Sequence, residues 1–517
     1  MAQRSDFVAM RGGYFLSLII SVAAFSGCAR VHSQSPAKAA PHPIVGPLTA
    51  SANAHYFRDS RGTALTLNGS QTWNTLQDWG IGGPPQPLDF DAFVQFLLAH
   101  GQNFTLLWTV EMPRACGLPT TTDSPPDITI SPLPYLRTGP GSASDGGLKF
   151  DLHKFDPAFF RRLRERTEGL GKAGIYAGVY LFTGEFPNVF RCAHDGYPFS
   201  RANNVNDIDD GYPGSGKNET GSTDMTAPNP VTQIQDAYVE KVIDTLNDEP
   251  NVLWIVSEEA SSGSLWWNNH QIAHIRAYEA QKPNRHPIGY AAPIGVPDTM
   301  IYNSDADWVA PAAALSPVNS CGTGSPSCKV NVNDSDHSYY GTIWRDTPQK
   351  NRNYAWKNFM NGNQVLFMDP YEVYWPREGR NICISPVRGI CSSPDSRWNN
   401  LRDNLGYILR FSRKLNLMNV GPHSSLSSTG FCLAQTPPAG AEYMVYSTDG
   451  AAFTVDLSAM PSSRSLSVEW FNPSSGEEIQ ARRLAAGSPA QTFVPPFPGD
   501  VVLYLVDTDG HAGSVMP

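Results

Sequence analysis

Residues 251–259 read Asn251-Val-Leu-Trp-Ile-Val-Ser-Glu-Glu259. The apolar run at 252–256 is short and rich in branched side chains, which is typical of a strand buried on both faces of a parallel sheet. Two carboxylates follow this run directly. The carboxyl ends of parallel strands meet at one edge, where binding and catalytic side chains gather. The stretch therefore predicts a buried parallel strand that ends in acidic site residues.

Seven more apolar runs alternate with helical patterns on either side of this strand. A helix capped by Asp156 and opened by Pro157 is one such pattern, and others lie at 231–246 and 401–417. An open doubly wound sheet is the alternative, but no glycine-rich phosphate loop follows the first run. The chain therefore predicts an α/β fold, a (β/α)8 TIM barrel at 51–425. The eight predicted strands are 64–67, 104–108, 175–182, 252–256, 287–290, 308–311, 330–332 and 365–368.

After residue 430 the pattern changes to short strands separated by turn residues. Such a pattern predicts a small antiparallel β-sandwich domain at 430–510. Its predicted strands are 442–446, 452–455, 466–470, 490–493 and 501–505.

Composition narrows the possible functions. Hydrophobic residues make up 41% and charged residues 17%, which excludes a disordered chain. The net charge of −10 argues against a nucleic-acid partner. The His and Cys residues lack zinc-site spacing, so neither a metal nor another cofactor is expected.

The N-terminus predicts export. Arg4 and Arg11 precede an apolar run that is too short for a comfortable membrane span, and small residues follow it, as in a secretory signal. Cys28 comes after Ser26-Gly27, as in a bacterial lipobox. We therefore expect a signal peptide at 1–28 and a tether at 29–50. The mature protein would be a lipoprotein of the outer membrane or periplasm, or a secreted protein. An ordinary signal peptide with an incidental Cys28 is the alternative.

Seven cysteines remain after Cys28, and they can form disulfides in an exported protein. Cys321 with Cys328 and Cys383 with Cys391 could close short loops, and Cys116 with Cys192 is a weaker pairing. Since seven is odd, one thiol is expected to stay free.

Polar side chains follow most of the predicted strands. Carboxylates follow the second, fourth, seventh and eighth runs, and two carboxylates that face one cleft suit cleavage of a glycosidic bond. One donates a proton to the leaving oxygen, and the other attacks the anomeric carbon or activates water. Each carboxylate alone could instead cap a helix or form a salt bridge. Aromatic rings here could stack on sugar or belong to the core. The candidate substrate-binding residues are Trp73, Asn74, Trp108, Glu111, Glu258, Asp334, His337 and Asp369.

The stretch 251–259 resembles the fourth-strand signature of retaining (β/α)8 glycoside hydrolases, in which Asn-Val-Leu-Trp leads to an Asn-Glu pair. The resemblance implies that Glu259 is the acid/base and that Glu258 replaces the usual Asn. It also implies a nucleophile after the seventh strand. That family uses Glu there, whereas this chain has Asp334 and Asp336. We favour Asp336, because it stands beside His337.

The wider pattern is similar to apiosidase-like barrels followed by a so-called collagen-binding β-domain, over residues 55–508. The stretches that carry this likeness are 69–74, 155–164, 333–337, 367–371, 427–434 and 469–473. The domain's name does not imply collagen binding.

These features predict an exported glycoside hydrolase with a carbohydrate substrate and no membrane contact except the lipid anchor. The resemblance implies retention of the anomeric configuration, and inversion stays the alternative. Its catalytic residues would be Glu259 and Asp336. A non-catalytic glycan-binding surface lipoprotein derived from a hydrolase barrel is the alternative, because the usual Asn and the nucleophilic Glu are replaced. The sugar, the linkage and the oligomeric state stay open.

Overall fold

The protein is described by a computed structural model. It covers residues 43–81, 83–115, 127–184, 192, 195–211, 222–312, 329–335, 347–369, 371, 396–437 and 440–507. The predicted signal, lipobox and most of the tether lie outside these residues. Within them, no helix is long and apolar enough to cross a membrane.

Eight parallel strands close into a barrel, which confirms the predicted fold class. Each strand pairs with its neighbours along the chain, and the eighth closes the ring by pairing with the first. The barrel strands are β1 (Asn68–Gln71), β2 (Phe104–Leu107), β3 (Tyr176–Phe182), β4 (Val252–Ser257), β5 (Ile288–Ala291), β6 (Trp308–Ala310), β7 (Val330–Asp334) and β8 (Gln364–Met368).

The predicted position of the first strand is wrong. The barrel strand is Asn68–Gln71, whereas Ala64–Leu65 pairs antiparallel in a small sheet with Phe57–Arg58. Strand β1 is polar, and the Asn68 side chain joins it to β8, because the carboxamide oxygen accepts from the Val365 N–H at 2.7 Å. A Cβ atom on Gly69 would lie 1.8 Å from the Phe104 carbonyl oxygen, so the close approach of β1 to β2 requires glycine there.

Helices cover the barrel between the strands. The Asp156 carboxylate accepts from the Ala158 N–H at 2.8 Å and Pro157 opens the helix, as the sequence predicts. The described α-helices are α1 (Phe90–Ala99), α2 (Pro157–Lys172), α3 (Thr232–Leu246), α4 (Leu265–Glu279), α5 (Thr299–Tyr302), α6 (Pro348–Met360) and α7 (Asn399–Ser412). The 3-10 turns are Arg201–Asn203, Ser262–Ser264, Ser396–Trp398 and Ser424–Leu426.

Short antiparallel sheets occupy the N-terminal segment and the connections that follow β1 and β2. Thr49–Ala50, Phe57–Arg58 and Ala64–Leu65 form the first sheet. Asp78–Ile81, Ile128–Ser131 and Arg114–Ala115 form the second, and Tyr135–Ser142 pairs with Leu148–Phe155 as a hairpin. The connections after β1 and β2 therefore hold ordered structure of their own.

The C-terminal region folds as two antiparallel sheets, as predicted. The larger sheet has the order β9-β10-β11-β16-β13-β14, and the smaller sheet pairs β12 with β15. Apolar residues of both sheets share one core, including Phe453, Trp470 and Phe493. The strands are β9 (Gly421–Pro422), β10 (Cys432–Gln435), β11 (Glu442–Ser447), β12 (Phe453–Val455), β13 (Ser465–Phe471), β14 (Glu478–Ala485), β15 (Gln491–Phe493) and β16 (Val501–Val506).

The β-domain and the barrel share a second core. The Trp356 ring of α6 stacks on Tyr446 of β11 at 6.0 Å, and Phe411 of α7 lies 4.9 Å from Phe471 of β13. One cluster of buried apolar residues contains all four side chains. The two parts are therefore joined by contiguous burial of large aromatic rings.

The two cysteines of the described residues have different states. Cys432 is a buried free thiol, and the expectation that just one of the seven cysteines is free stays a prediction. Cys192 is disulfide-bonded. Its partner lies outside the described residues, as do the other cysteines of the predicted pairs.

Candidate active site

The carboxyl ends of the barrel strands form one mouth, and the sequence-predicted site residues of the described chain follow these ends. Gln71 ends β1, and Trp108 and Glu111 follow β2. The pair Glu258-Glu259 follows β4, Asp334 ends β7 and Asp369 follows β8. Asp336 and His337 lie outside the described residues.

The two glutamates after β4 differ in exposure. Glu258 is 3% exposed, whereas Glu259 is only partly buried. Glu259 also has φ of 26°, a conformation that residues other than glycine rarely adopt. Strained backbone of this kind persists where the surroundings hold it, and it clusters at active sites.

The segment that follows β4 is held from two sides. A Cβ atom on Gly184 would lie 1.5 Å from the Glu258 carbonyl oxygen, so glycine with φ of +65° is required at the β3 exit. Beyond the pair, the Ser261 hydroxyl donates to the Asp224 carboxylate, and the Ile294 N–H donates to the Ala260 carbonyl at 2.8 Å. These contacts fix the backbone on which both glutamates are carried.

Asp334 points toward the barrel interior. Side chains alternate along a strand, and Asn333 points outward, because its amide donates to Asn358 on α6. Asp334 is the next residue of β7, so its side chain lies on the opposite face of the strand, and it pairs in register with Leu366 of β8. Asp334 is 1% exposed. A carboxylate therefore stands at the inner face of the β7 exit.

The Asp369 carboxylate forms a buried salt bridge with an arginine. Its two oxygens accept from Nε and Nη2 of Arg402 on α7 at 2.7 and 2.5 Å, and both side chains are fully buried. The Asp369 N–H donates to the Gln71 carbonyl at 2.8 Å. This bidentate pair fixes the β8 exit against α7 and β1. Sugar binding by Asp369 stays a prediction, and the sequence contains no signal for its partner Arg402, which lies 33 residues away.

The aromatic candidates are buried in this structure. Trp108 is 1% exposed, stacks on Tyr180 at 4.4 Å and donates its indole N–H to Gln71 at 2.9 Å. Trp73 is 9% exposed and stacks on Trp79. Asn74 is buried beside Trp73, and its carbonyl accepts from Arg166 of α2 at 3.4 Å. Trp108 and Trp73 thus belong to the buried core, and their stacking on sugar stays a prediction.

Glu111 is a buried carboxyl group at the β2 exit. Its Oε2 accepts from the Thr183 N–H at 3.0 Å and from the Thr183 hydroxyl. Burial raises the pKa of Glu111 to about 7, while the hydrogen bonds act in the opposite direction. Thr183 precedes Gly184, which abuts the Glu258 backbone. Glu111 therefore links the exits of β2 and β3 to that of β4, and the sequence had no signal for Thr183 as its partner.

Glu111→Gln is expected to stabilise the protein above pH 7. Because the folded-state pKa is raised, the native state holds an extra proton between about pH 4.5 and 7, and stability falls as pH rises through this window. Gln keeps the acceptor for Thr183 without ionising. The gain at pH 8 is at most on the order of 3 kcal/mol. Thermal denaturation from pH 5 to 8 checks it: the difference in Tm between the variant and the wild type should grow with pH.

The matched control is Glu165→Gln, on the exposed face of α2. Its effect on Tm should not follow the pH dependence of the Glu111 variant. If the Glu111 variant differs from the wild type by the same amount at every pH, its carboxyl group ionises normally.

Among the residues that the structure describes, no three His, Cys, Asp or Glu side chains are grouped so that they could hold a metal ion.

Two family models match the chain. One is described as "Domain of unknown function (DUF6298)" and matches residues 129–310. The other is described as "Putative collagen-binding domain of a collagenase" and matches residues 433–505. The second match confirms the predicted resemblance of the C-terminal domain. No protein with a curated description matches the chain in sequence.

Solved glycoside hydrolases have the same architecture. A glycoside hydrolase family 5 protein from Bacteroides vulgatus ATCC 8482 matches with a TM-score of 0.59 and 13% identity, over 93% of this chain and 98% of the other. A second structure, titled "Glycoside hydrolase", matches with a TM-score of 0.55 and 13% identity, over 90% and 99%. At this identity the likeness establishes the fold. The chain thus has the fold of known glycoside hydrolase structures.

Proposed function

We propose that the protein is an exported glycoside hydrolase that cleaves a glycosidic bond in an oligosaccharide or polysaccharide. The observation that carries the proposal is the placement of carboxylates after β4 and at the end of β7, at one mouth of the barrel. Cleavage of a glycosidic bond requires a carboxyl group on each side of that bond. Export and a lipid anchor at Cys28 rest on the charged, apolar and small-residue pattern of residues 1–28.

Glu259 is the acid/base in this proposal. A proton donor has to reach the leaving oxygen of the substrate, and Glu259 is the more exposed member of its pair. The buried Glu258 stands where related enzymes use an amide, and its contribution is to hold a sugar hydroxyl. Asp336 is the nucleophile, and Asp334, two residues earlier, contacts the substrate from the inner face of β7.

The expected reaction retains the anomeric configuration. The nucleophile forms a glycosyl ester as the leaving oxygen takes the proton of Glu259, and water then hydrolyses the ester with Glu259 as base. The resemblance to retaining barrel hydrolases motivates this order of steps.

A panel of oligosaccharides and aryl glycosides tests the proposal. Cleavage is measured as new reducing ends, and proton NMR during the first turnovers reads the configuration of the product. We expect cleavage of at least one glycan class with retention. Saturable glycan binding without any cleavage would establish the alternative of a non-catalytic binding protein. If the anomer released first has the opposite configuration to the substrate, the mechanism is inverting.

A further inference from the structure

Helix α6 lies between the β-domain and the seventh barrel strand. At its N-terminal half, both side-chain oxygens of Asp500 accept from Arg352, at 2.9 and 2.6 Å, and both side chains are buried. The Tyr446 hydroxyl donates to Asn353 at 2.6 Å, and the Tyr446 ring stacks on Trp356. The β-domain therefore holds this helix by a buried ion pair and by aromatic packing.

The C-terminal half of α6 holds β7. Asn358 is fully buried, and its Nδ2 donates to the Tyr354 carbonyl at 3.0 Å, which fixes the orientation of the amide. Its Oδ1 accepts from the Asn333 amide and from Asn363 at 3.2 Å. One oxygen thus joins the helix, the outer face of β7 and the segment before β8.

This arrangement determines the direction of Asp334. Asn333 and Asp334 are consecutive, so fixing the Asn333 side chain outward fixes the Asp334 side chain inward. Loss of the Asn358 oxygen would leave the buried Asn333 amide without this acceptor, and the end of β7 would gain freedom to turn.

We propose that Asn358 is a positioning residue for Asp334. This inference rests on the proposed function.

Three variants test the proposal. Asn358→Leu removes both side-chain hydrogen-bonding atoms at similar volume, and Asn358→Asp keeps the acceptor oxygen and, in its protonated form, a donor for the Tyr354 carbonyl. Asn404→Leu is the matched control: Asn404 is also a fully buried helix residue, and it contacts Trp356 at 2.8 Å and the Pro473 carbonyl at 2.9 Å instead of β7. Each variant is measured for Tm and for kcat/KM on the best substrate of the panel.

We expect Asn358→Leu to lower kcat/KM by about 10- to 100-fold, since a displacement near 1 Å can cost this much. Asn358→Asp should recover most of the loss, and Asn404→Leu should lower Tm while kcat/KM stays within about threefold of the wild type. The proposal is overturned if Asn358→Leu keeps full activity, if Asn358→Asp is as impaired as the Leu variant, or if Asn404→Leu loses as much activity.

Crystal structures of the Leu and Asp variants test the same inference without a substrate. The Asp334 carboxyl group should move in the Leu variant and keep its place in the Asp variant. If the panel yields no substrate, the proposed function fails while this comparison still decides the positioning role. If Asp334 stays in place in both structures, the positioning role fails whatever the activity.

Discussion

Glu259→Gln is expected to lower kcat on a natural glycan by about 10²- to 10⁴-fold, the usual range for loss of a general acid/base. The amide keeps the size of the side chain but has no proton for the leaving oxygen. On an aryl glycoside with an acidic phenol, bond cleavage needs little protonation, whereas hydrolysis of the glycosyl ester still lacks its base. We therefore expect a rapid burst of about one phenol per protein, followed by slow turnover, in stopped-flow absorbance.

Glu258→Gln is the matched control, because it makes the same change one residue earlier at a buried position. It should affect KM and kcat moderately on natural and aryl substrates alike, without a burst. If Glu258→Gln shows the burst and Glu259→Gln keeps full activity, the acid/base is Glu258, and the strained backbone at Glu259 serves to orient its neighbour.

Asp336→Asn is expected to lower kcat by at least about a thousandfold on every substrate, including aryl glycosides. The reason is that an amide does not form the covalent ester. An acidic leaving group therefore does not restore the rate. A fluorinated glycoside that slows ester hydrolysis should label the wild type, and peptide mass spectrometry should place the label on Asp336. In a crystal structure the Glu259 and Asp336 carboxyl groups should lie about 5 to 5.5 Å apart.

Asp334→Asn provides the control for this prediction. A substrate-contacting role predicts a loss of about tenfold to a hundredfold with the covalent label still formed on Asp336. If instead the label is found on Asp334 and Asp336→Asn retains activity, the nucleophile is the inward residue at the end of β7. A separation of roughly 6.5 to 9.5 Å between the Glu259 carboxyl group and that of its Asp partner, with no label on either aspartate, would indicate inversion through water.

The sequence contains enough information to predict the architecture, because buried parallel strands show as apolar runs. Strand β1 is the exception: Asn68 and Gln71 are polar, and their side-chain oxygens accept hydrogen bonds from β8 and from Trp108, which are remote in sequence. The sequence pattern also does not predict strand β14, because this strand is exposed and its polar and apolar residues alternate only weakly.

Local patterns predict which residues stand at the mouth but not what they contact. The exit positions of Glu111 and Asp369 follow from the ends of apolar runs. The engagement of Asp369 by Arg402 and the burial of Glu111 beside Thr183 depend on long-range packing. Asn358 and Asn333 likewise form a pair only because α6 packs back on β7, so no spacing rule identifies them.

The buried aromatic contact between the barrel helices and the β-domain limits how such proteins can be recombined. Sequence patterns suggest a domain boundary near residue 430, yet Trp356 of α6 and Phe411 of α7 pack against Tyr446 and Phe471 of the β-domain strands. A graft that exchanged only the C-terminal strands would bring together side chains that had not been selected to interlock. The exchangeable unit is the β-domain together with the outer faces of these two helices.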